Sequence, residues 1–262
     1  MSHRNESVEI PVDEELIDGT LLTPDPPAAA APGVLFVHGW GGSQEQYLGR
    51  ARTVASLGCV CLVFDLRGHV RSERRREVVS REDNLRDCLA AYDRLIAAPG
   101  LDPSAVGVVG SSYGGYLAAI LTSLRAVRWL GLRAPALYED DGWMLPKRWL
   151  HHDTDLVAFR HRAVPPEENV ALRASAAFRG DVLLIESERD NVVPHRVIEN
   201  YLSACVHARS LTYRVLEGAD HGLSEEPWRS AYTTLLVSWL NEMTAGLRGQ
   251  TGAPAAAGGC HS

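Results

Sequence analysis

Three residues carry the side chains that acyl transfer requires, and each follows a run that reads as a strand. Ser112 lies in Gly110-Ser111-Ser112-Tyr113-Gly114-Gly115, between the valine-rich residues 106–109 and the alanine- and leucine-rich residues 116–124. Gly-x-Ser-x-Gly between a strand and a helix holds the serine on a tight, strained turn. Small neighbours let the helix pack behind the strand, and the hydroxyl is pushed into the open. The next amide, that of Tyr113, opens the helix and lies in the partly positive field of its N-terminus, which suits an oxyanion. A serine hydroxyl is a weak nucleophile until a base takes its proton and a third group fixes the tautomer of that base. Asp190 follows the apolar residues 181–187 and His221 follows 211–216. The chain order Ser, Asp, His is the one expected when each member sits beyond a successive strand of one parallel sheet, so that all three meet at its carboxyl edge.

The remaining elements must build that sheet. Residues 7–12 and 16–22 read as an opening antiparallel hairpin, and Val34-Leu35-Phe36-Val37 as a strand ending at His38-Gly39-Trp40-Gly41-Gly42. Ser43 is placed to cap a helix over residues 44–57, and a strand over 59–64 stops at Asp65-Leu66-Arg67-Gly68-His69. Ser80-Arg81-Glu82-Asp83 resembles a capping box, and Leu85, Leu89, Tyr92 and Ile96 recur behind it at helical spacing. A strand over 127–132, a helix over 196–208 and a final helix over 226–244 complete the alternation. Strands alternating with helices call for an α/β fold, with a mostly parallel central sheet and helices on both faces. Residues 137–179 break the rhythm and read as a small inserted cap over the carboxyl edge, on one domain spanning 1–246. Its aromatic residues Tyr138, Trp143 and Trp149 are expected to form a substrate-facing wall. Residues 247–262, rich in glycine and alanine, read as a disordered tail.

Composition narrows the class. A chain of 262 residues with 45% hydrophobic and 23% charged content is ordinary for a soluble domain, and a net charge of -7 argues against a nucleic-acid binder. The arginines of residues 71–81 alternate with glutamates and read as a solvated face. No stretch approaches a membrane span, and the polar N-terminus has no signal-peptide core, so a cytoplasmic location is expected. None of the five cysteines has zinc-site spacing.

With these motifs in hand, residues 34–240 resemble an α/β-hydrolase, and in particular small serine carboxylesterases, including feruloyl-type esterases. The Gly110 to Gly115 stretch also resembles serine peptidases of the prolyl oligopeptidase group. The resemblance implies that His38-Gly39-Trp40-Gly41 is the oxyanion loop, with the backbone amides of Trp40 and Tyr113 as its donors. It also implies that Asp190-x-x-Val193-Pro194 and Asp220-His221-Gly222 are the acid and histidine loops. That spacing to Pro194 favours Asp190 over Glu186 and Glu188 as the acid. Val70 departs from the pattern, since relatives often place glycine after the histidine of the Asp65 to His69 loop; this bears on the local turn.

The function expected is cleavage of a small-molecule carboxylic ester, with a small or medium apolar or aromatic acyl group, through an acyl-enzyme on Ser112. A peptidase, amidase or thioesterase on the same fold is the alternative, and a non-catalytic binding protein a further one. No cofactor is required and no metal site is expected. His151-His152-Asp153-x-Asp155 invites a metal but lacks both the HExxH register and a third ligand. His38 and His69 read as packing groups beneath the oxyanion loop. The sequence leaves the oligomeric state open.

Overall fold

The computed structural model describes residues 2–27, 29–151 and 155–251. Among them, eight strands form one sheet, in the order β1-β2-β4-β3-β5-β6-β7-β8. The strands are β1 (Ser2–Val12), β2 (Glu15–Asp25), β3 (Ala31–Val37), β4 (Val60–Phe64), β5 (Leu101–Ser111), β6 (Trp129–Arg133), β7 (Asp181–Ser187) and β8 (Ser210–Leu216). The opening hairpin β1–β2 is antiparallel and joins β4 antiparallel, while β4 through β8 are mutually parallel. The hairpin strands run longer than their apolar alternation indicated, because they pair over their full length.

Apolar residues of the inner strands point to both faces, so both must be covered. On one face lie α2 (Arg81–Ile96), α3 (Tyr113–Leu121), α5 (Val170–Ala177) and α6 (His195–Ala204), packed over Leu35, Leu62, Val108 and Leu184. On the other lie α1 (Glu45–Ser56) and α7 (Glu226–Thr251), over Val34, Phe36, Val109 and Ile185. The Ser80 capping box opens α2 as expected: its hydroxyl accepts from the Asp83 amide while the Asp83 carboxylate accepts from the Ser80 amide. Ser43 caps nothing. The start of α1 is instead held by Asp65 at the end of β4, which accepts from the Gln44 amide and side chain, each at 2.8 Å. Helix α7 continues past Gly246 to Thr251, through five residues that the sequence assigned to the tail.

The insertion is shorter than residues 137–179. Helix α5 packs against α3 and α6 on the face of the sheet, with Ala171 and Leu172 in the core, and so serves as the crossover helix between β6 and β7. Ahead of it, the irregular segment carries a short 3-10 turn (Lys147–His151) and α4 (Leu156–Arg160). Two arginines grip its backbone. Arg81 donates to the carbonyls of Glu139 and Asp141, and Arg160 to those of Leu137 and Val192. Asp140 accepts from the Val170 amide and helps start α5. Of the His151-His152-Asp153 cluster, His152, Asp153 and the side chain of His151 lie outside the described residues. No helix among the described residues is long and apolar enough to cross a membrane.

Candidate active site

The turn from β5 into α3 is set by close approach. A Cβ on Gly110 would lie 2.3 Å from the Gly114 carbonyl oxygen, and one on Gly114 would lie 2.3 Å from the carbonyl oxygen of Val37 and 2.4 Å from that of His38. Only glycine fits at both positions. Ser112 between them has φ 52°, ψ -119°, a conformation costly for a residue with a side chain and found where surrounding structure over-determines it. That strain lifts the hydroxyl away from the sheet.

Two loops converge on it. His221, five residues beyond the end of β8, places Nε2 2.9 Å from Ser112 Oγ, and its Nδ1 lies 2.7 Å from Asp190 Oδ2. Asp190 is fixed in turn: Oδ1 accepts from the amides of Val192 and Val193. The candidate acids therefore separate by contact. Glu186 faces away and pairs with His195 and Tyr213, while Glu188 accepts from the Gly218 amide. Ser112, His221 and Asp190 thus form one hydrogen-bonded chain from hydroxyl to carboxylate, a geometry in which the imidazole can take and return a proton.

Beside Ser112 runs the loop after β3. The backbone amides of Trp40 and Tyr113 have no hydrogen-bond partner among the described residues and remain free to donate. Two histidines hold this loop. His38 Nε2 accepts from the Leu66 amide at 3.0 Å and its Nδ1 donates to the Gly39 carbonyl, whereas His69 Nε2 accepts from the Gly41 amide at 3.0 Å. Both rings must be neutral to accept in this way. Burial pulls the pKa of His38 down to about 4, against the Gly39 carbonyl, and burial together with the neighbouring His38 does the same to His69. Both therefore act as packing and hydrogen-bonding supports beneath the loop.

The aromatic residues of the insertion have a different job from the one expected. Tyr138 is buried, edge-on to Tyr113 and Tyr116, and Trp143 packs on Tyr116 and under Arg81. Trp149 is exposed beside Arg148. None of the three lines the cavity at Ser112. Tyr138 turns inward onto a buried Lys147, whose Nζ lies 4.5 Å from the ring centre of Trp40, 4.9 Å from Tyr113 and 4.8 Å from Tyr138. Burial lowers the pKa of this ammonium, with Tyr138 opposing.

The cavity beside Ser112, about 380 Å³, opens on the opposite side, between α1, α7 and the His221 loop. It is bounded by Ser112, His221, Trp40 and Tyr232, and three arginines reach it: Arg50, Arg133 and Arg229. The sequence points to an apolar or aromatic acyl group under the 137–179 segment, whereas the cavity at Ser112 lies away from that segment and carries arginines beside Trp40 and Tyr232. Sequence reasoning passed over these arginines. One signal was present, since Arg133 closes the otherwise apolar run Trp129-Leu130-Gly131-Leu132.

Comparison with known proteins agrees with this fold. A dienelactone hydrolase from Anabaena variabilis superposes with a TM-score of 0.65 at 20% identity, covering 91% of this chain and 97% of that one. A bacterial heroin esterase gives a TM-score of 0.65 at 19% identity over 92% and 84%. An acylaminoacyl peptidase from Pyrococcus horikoshii gives 0.68 at 17% identity, covering 91% of this chain but 41% of that longer one. No curated protein sequence matches the chain. The sequence model described as Alpha/beta hydrolase family matches residues 34–230, three quarters of the chain and all of the loops that meet at Ser112, and the chain belongs to that family.

Proposed function

We propose that this chain is a serine hydrolase that cleaves a small carboxylic ester through an acyl-enzyme on Ser112. One observation carries the reading: the continuous chain Ser112 Oγ, His221 Nε2, His221 Nδ1, Asp190 Oδ2, with contacts of 2.9 and 2.7 Å. In the first half-reaction Ser112 Oγ attacks the ester carbonyl as its proton passes to His221 Nε2. Asp190 keeps the imidazole in the required tautomer and steadies its positive charge. The amides of Trp40 and Tyr113 receive the oxyanion, and His221 then returns the proton to the departing alcohol. A water, deprotonated by the same imidazole, releases the acid in the second half-reaction.

An ester is favoured over a peptide by the company the fold keeps. The dienelactone hydrolase and the esterase match this chain over most of their own length, whereas the peptidase is more than twice as long. Amide and thioester cleavage use the same groups and form the alternative. Cys61, Cys88 and Cys205 are buried and form no disulfide among the described residues, which fits the reducing cytoplasm that we assign as its compartment.

The test is covalent labelling with a fluorophosphonate combined with turnover of 4-nitrophenyl esters and aminoacyl 4-nitroanilides. Labelling and ester turnover in the wild type, both absent in Ser112→Ala, are expected. Anilide cleavage exceeding ester cleavage would replace the esterase reading with a peptidase, and no labelling of the wild type would end both.

A further inference from the structure

The cavity beside Ser112 contains positive charge that the protein does not neutralise. Arg133 stands at the end of β6 with 6% of its surface exposed. Its Nε donates to Ser111 Oγ at 2.6 Å and its Nη1 to Ser187 Oγ at 3.3 Å, both uncharged hydroxyls. Nη2 has no partner among the described residues, yet it is not sealed from the cavity. Arg50 donates to the Gln46 carbonyl and to Thr233 Oγ1 and lies over the Tyr232 ring, and Arg229 donates to the carbonyls of Leu223 and Ser224. No carboxylate lies within 4.0 Å of these three guanidinium groups among the described residues, and no Asp or Glu lines the cavity.

Of the other buried arginines, Arg81 and Arg160 are held by main-chain carbonyls that seat the segment after β6, and Arg67 is paired with carboxylates. Arg67 meets Asp87 at 2.6 Å and Asp13 at 2.9 Å. A buried guanidinium without an anion is costly, and the cost is removed when a ligand brings the anion. The position is next to the chemistry: Ser111 pairs with Arg133 across the β5–β6 ladder, and the Ser112 amide donates to the Arg133 carbonyl at 2.9 Å. Guanidinium forks match the two oxygens of a carboxylate or phosphate group.

We propose that the cavity formed by Arg133, Arg50 and Arg229 is an anion subsite, and that the ester cleaved at Ser112 carries a carboxylate or phosphate-type group a few bonds from its scissile carbonyl. This rests on the serine-hydrolase reading above. The neutral ester is then the poorer substrate, and the ionic contact selects among small esters that the open mouth of the cavity would otherwise admit alike.

The experiment compares mono-4-nitrophenyl adipate with its methyl ester, and with 4-nitrophenyl 5-phosphonopentanoate, in the wild type, Arg133→Met and the exposed-site variant Arg229→Met. The wild type is expected to prefer an anionic ester by about 10- to 100-fold in kcat/KM, with the preference falling toward unity in Arg133→Met and by a smaller factor in Arg229→Met. The anionic ester with the higher kcat/KM identifies carboxylate or phosphonate as the natural group. Should Arg133→Met fail to fold, Arg229→Met alone must lower the ratio. Ser112-dependent turnover with no anionic preference would overturn the subsite and leave the hydrolase reading standing. If no ester is turned over, calorimetry on Ser112→Ala decides the subsite separately: monomethyl adipate must bind at least 10-fold more tightly than dimethyl adipate. Equal binding of the two overturns it.

Discussion

The two histidines beneath the oxyanion loop should make this protein acid-sensitive in a defined window. Each accepts a backbone amide through Nε2, so protonation would set a donor against a donor inside the core. The pKa of each is about 4 in the folded chain against 6.5 for an unperturbed histidine. Between those values the unfolded chain holds more protons, and stability falls as pH falls. The loss begins below about pH 6.5, is complete near pH 4, and amounts to about 3 kcal/mol for each histidine. In the middle of the window each adds a slope of about 1.4 kcal/mol per pH unit. His69→Gln keeps an acceptor for the Gly41 amide and removes one titration. Urea unfolding of wild type and variant from pH 7 to 4.5 should show the two stability curves converging as pH falls, by that slope. Carboxylates that titrate in both proteins cancel in the difference. Parallel curves through the window would show that His69 does not titrate as its burial demands, and the account of the loop's support would fail.

Two further expectations concern backbone conformation. Gly114→Ala drives a Cβ into the carbonyl oxygens of Val37 and His38, and relief by movement of the strand end that leads to Trp40 should cost about 1–3 kcal/mol and roughly 100-fold in kcat/KM; thermal melts and ester kinetics measure both, and wild-type values for either would refute the close-packing argument. Val70 is an exposed, β-branched residue at φ 46°, so Val70→Gly should raise stability by about 1 kcal/mol and Tm by about 2–4 °C, read by calorimetry. A lower Tm would mean that the turn's strain is offset by contacts of the valine.

The parts of the site that local sterics dictate were readable from the chain. Gly110 and Gly114 announce the turn because nothing larger fits there, Asp190 stands just past the buried run of β7, and His221 follows β8, whose Leu, Tyr and Val mark a strand although most of it is exposed. Contacts between distant segments were not readable in the same way. Tyr138 and Trp143 form no substrate wall because Lys147 and Arg81 draw their rings inward, and α5 joins the core because Ala171 and Leu172 find α3 and α6. The cavity needed three arginines from α1, β6 and α7, residues 50, 133 and 229, which become neighbours only when the sheet is closed from both faces. A single charged residue ending an apolar strand was the one local trace of it.

The insertion is anchored by Arg81 and Arg160 through main-chain oxygens of residues 137, 139, 141 and 192. Every amino acid offers that oxygen, so the grip is blind to what is written at the positions it holds. Substitution can proceed along this stretch, changing the outer surface it presents, while its seat on the domain stays where it is. That freedom belongs to the outward positions alone, since Tyr138 and Lys147 pack on Tyr113 and Arg160 is itself one of the two anchors.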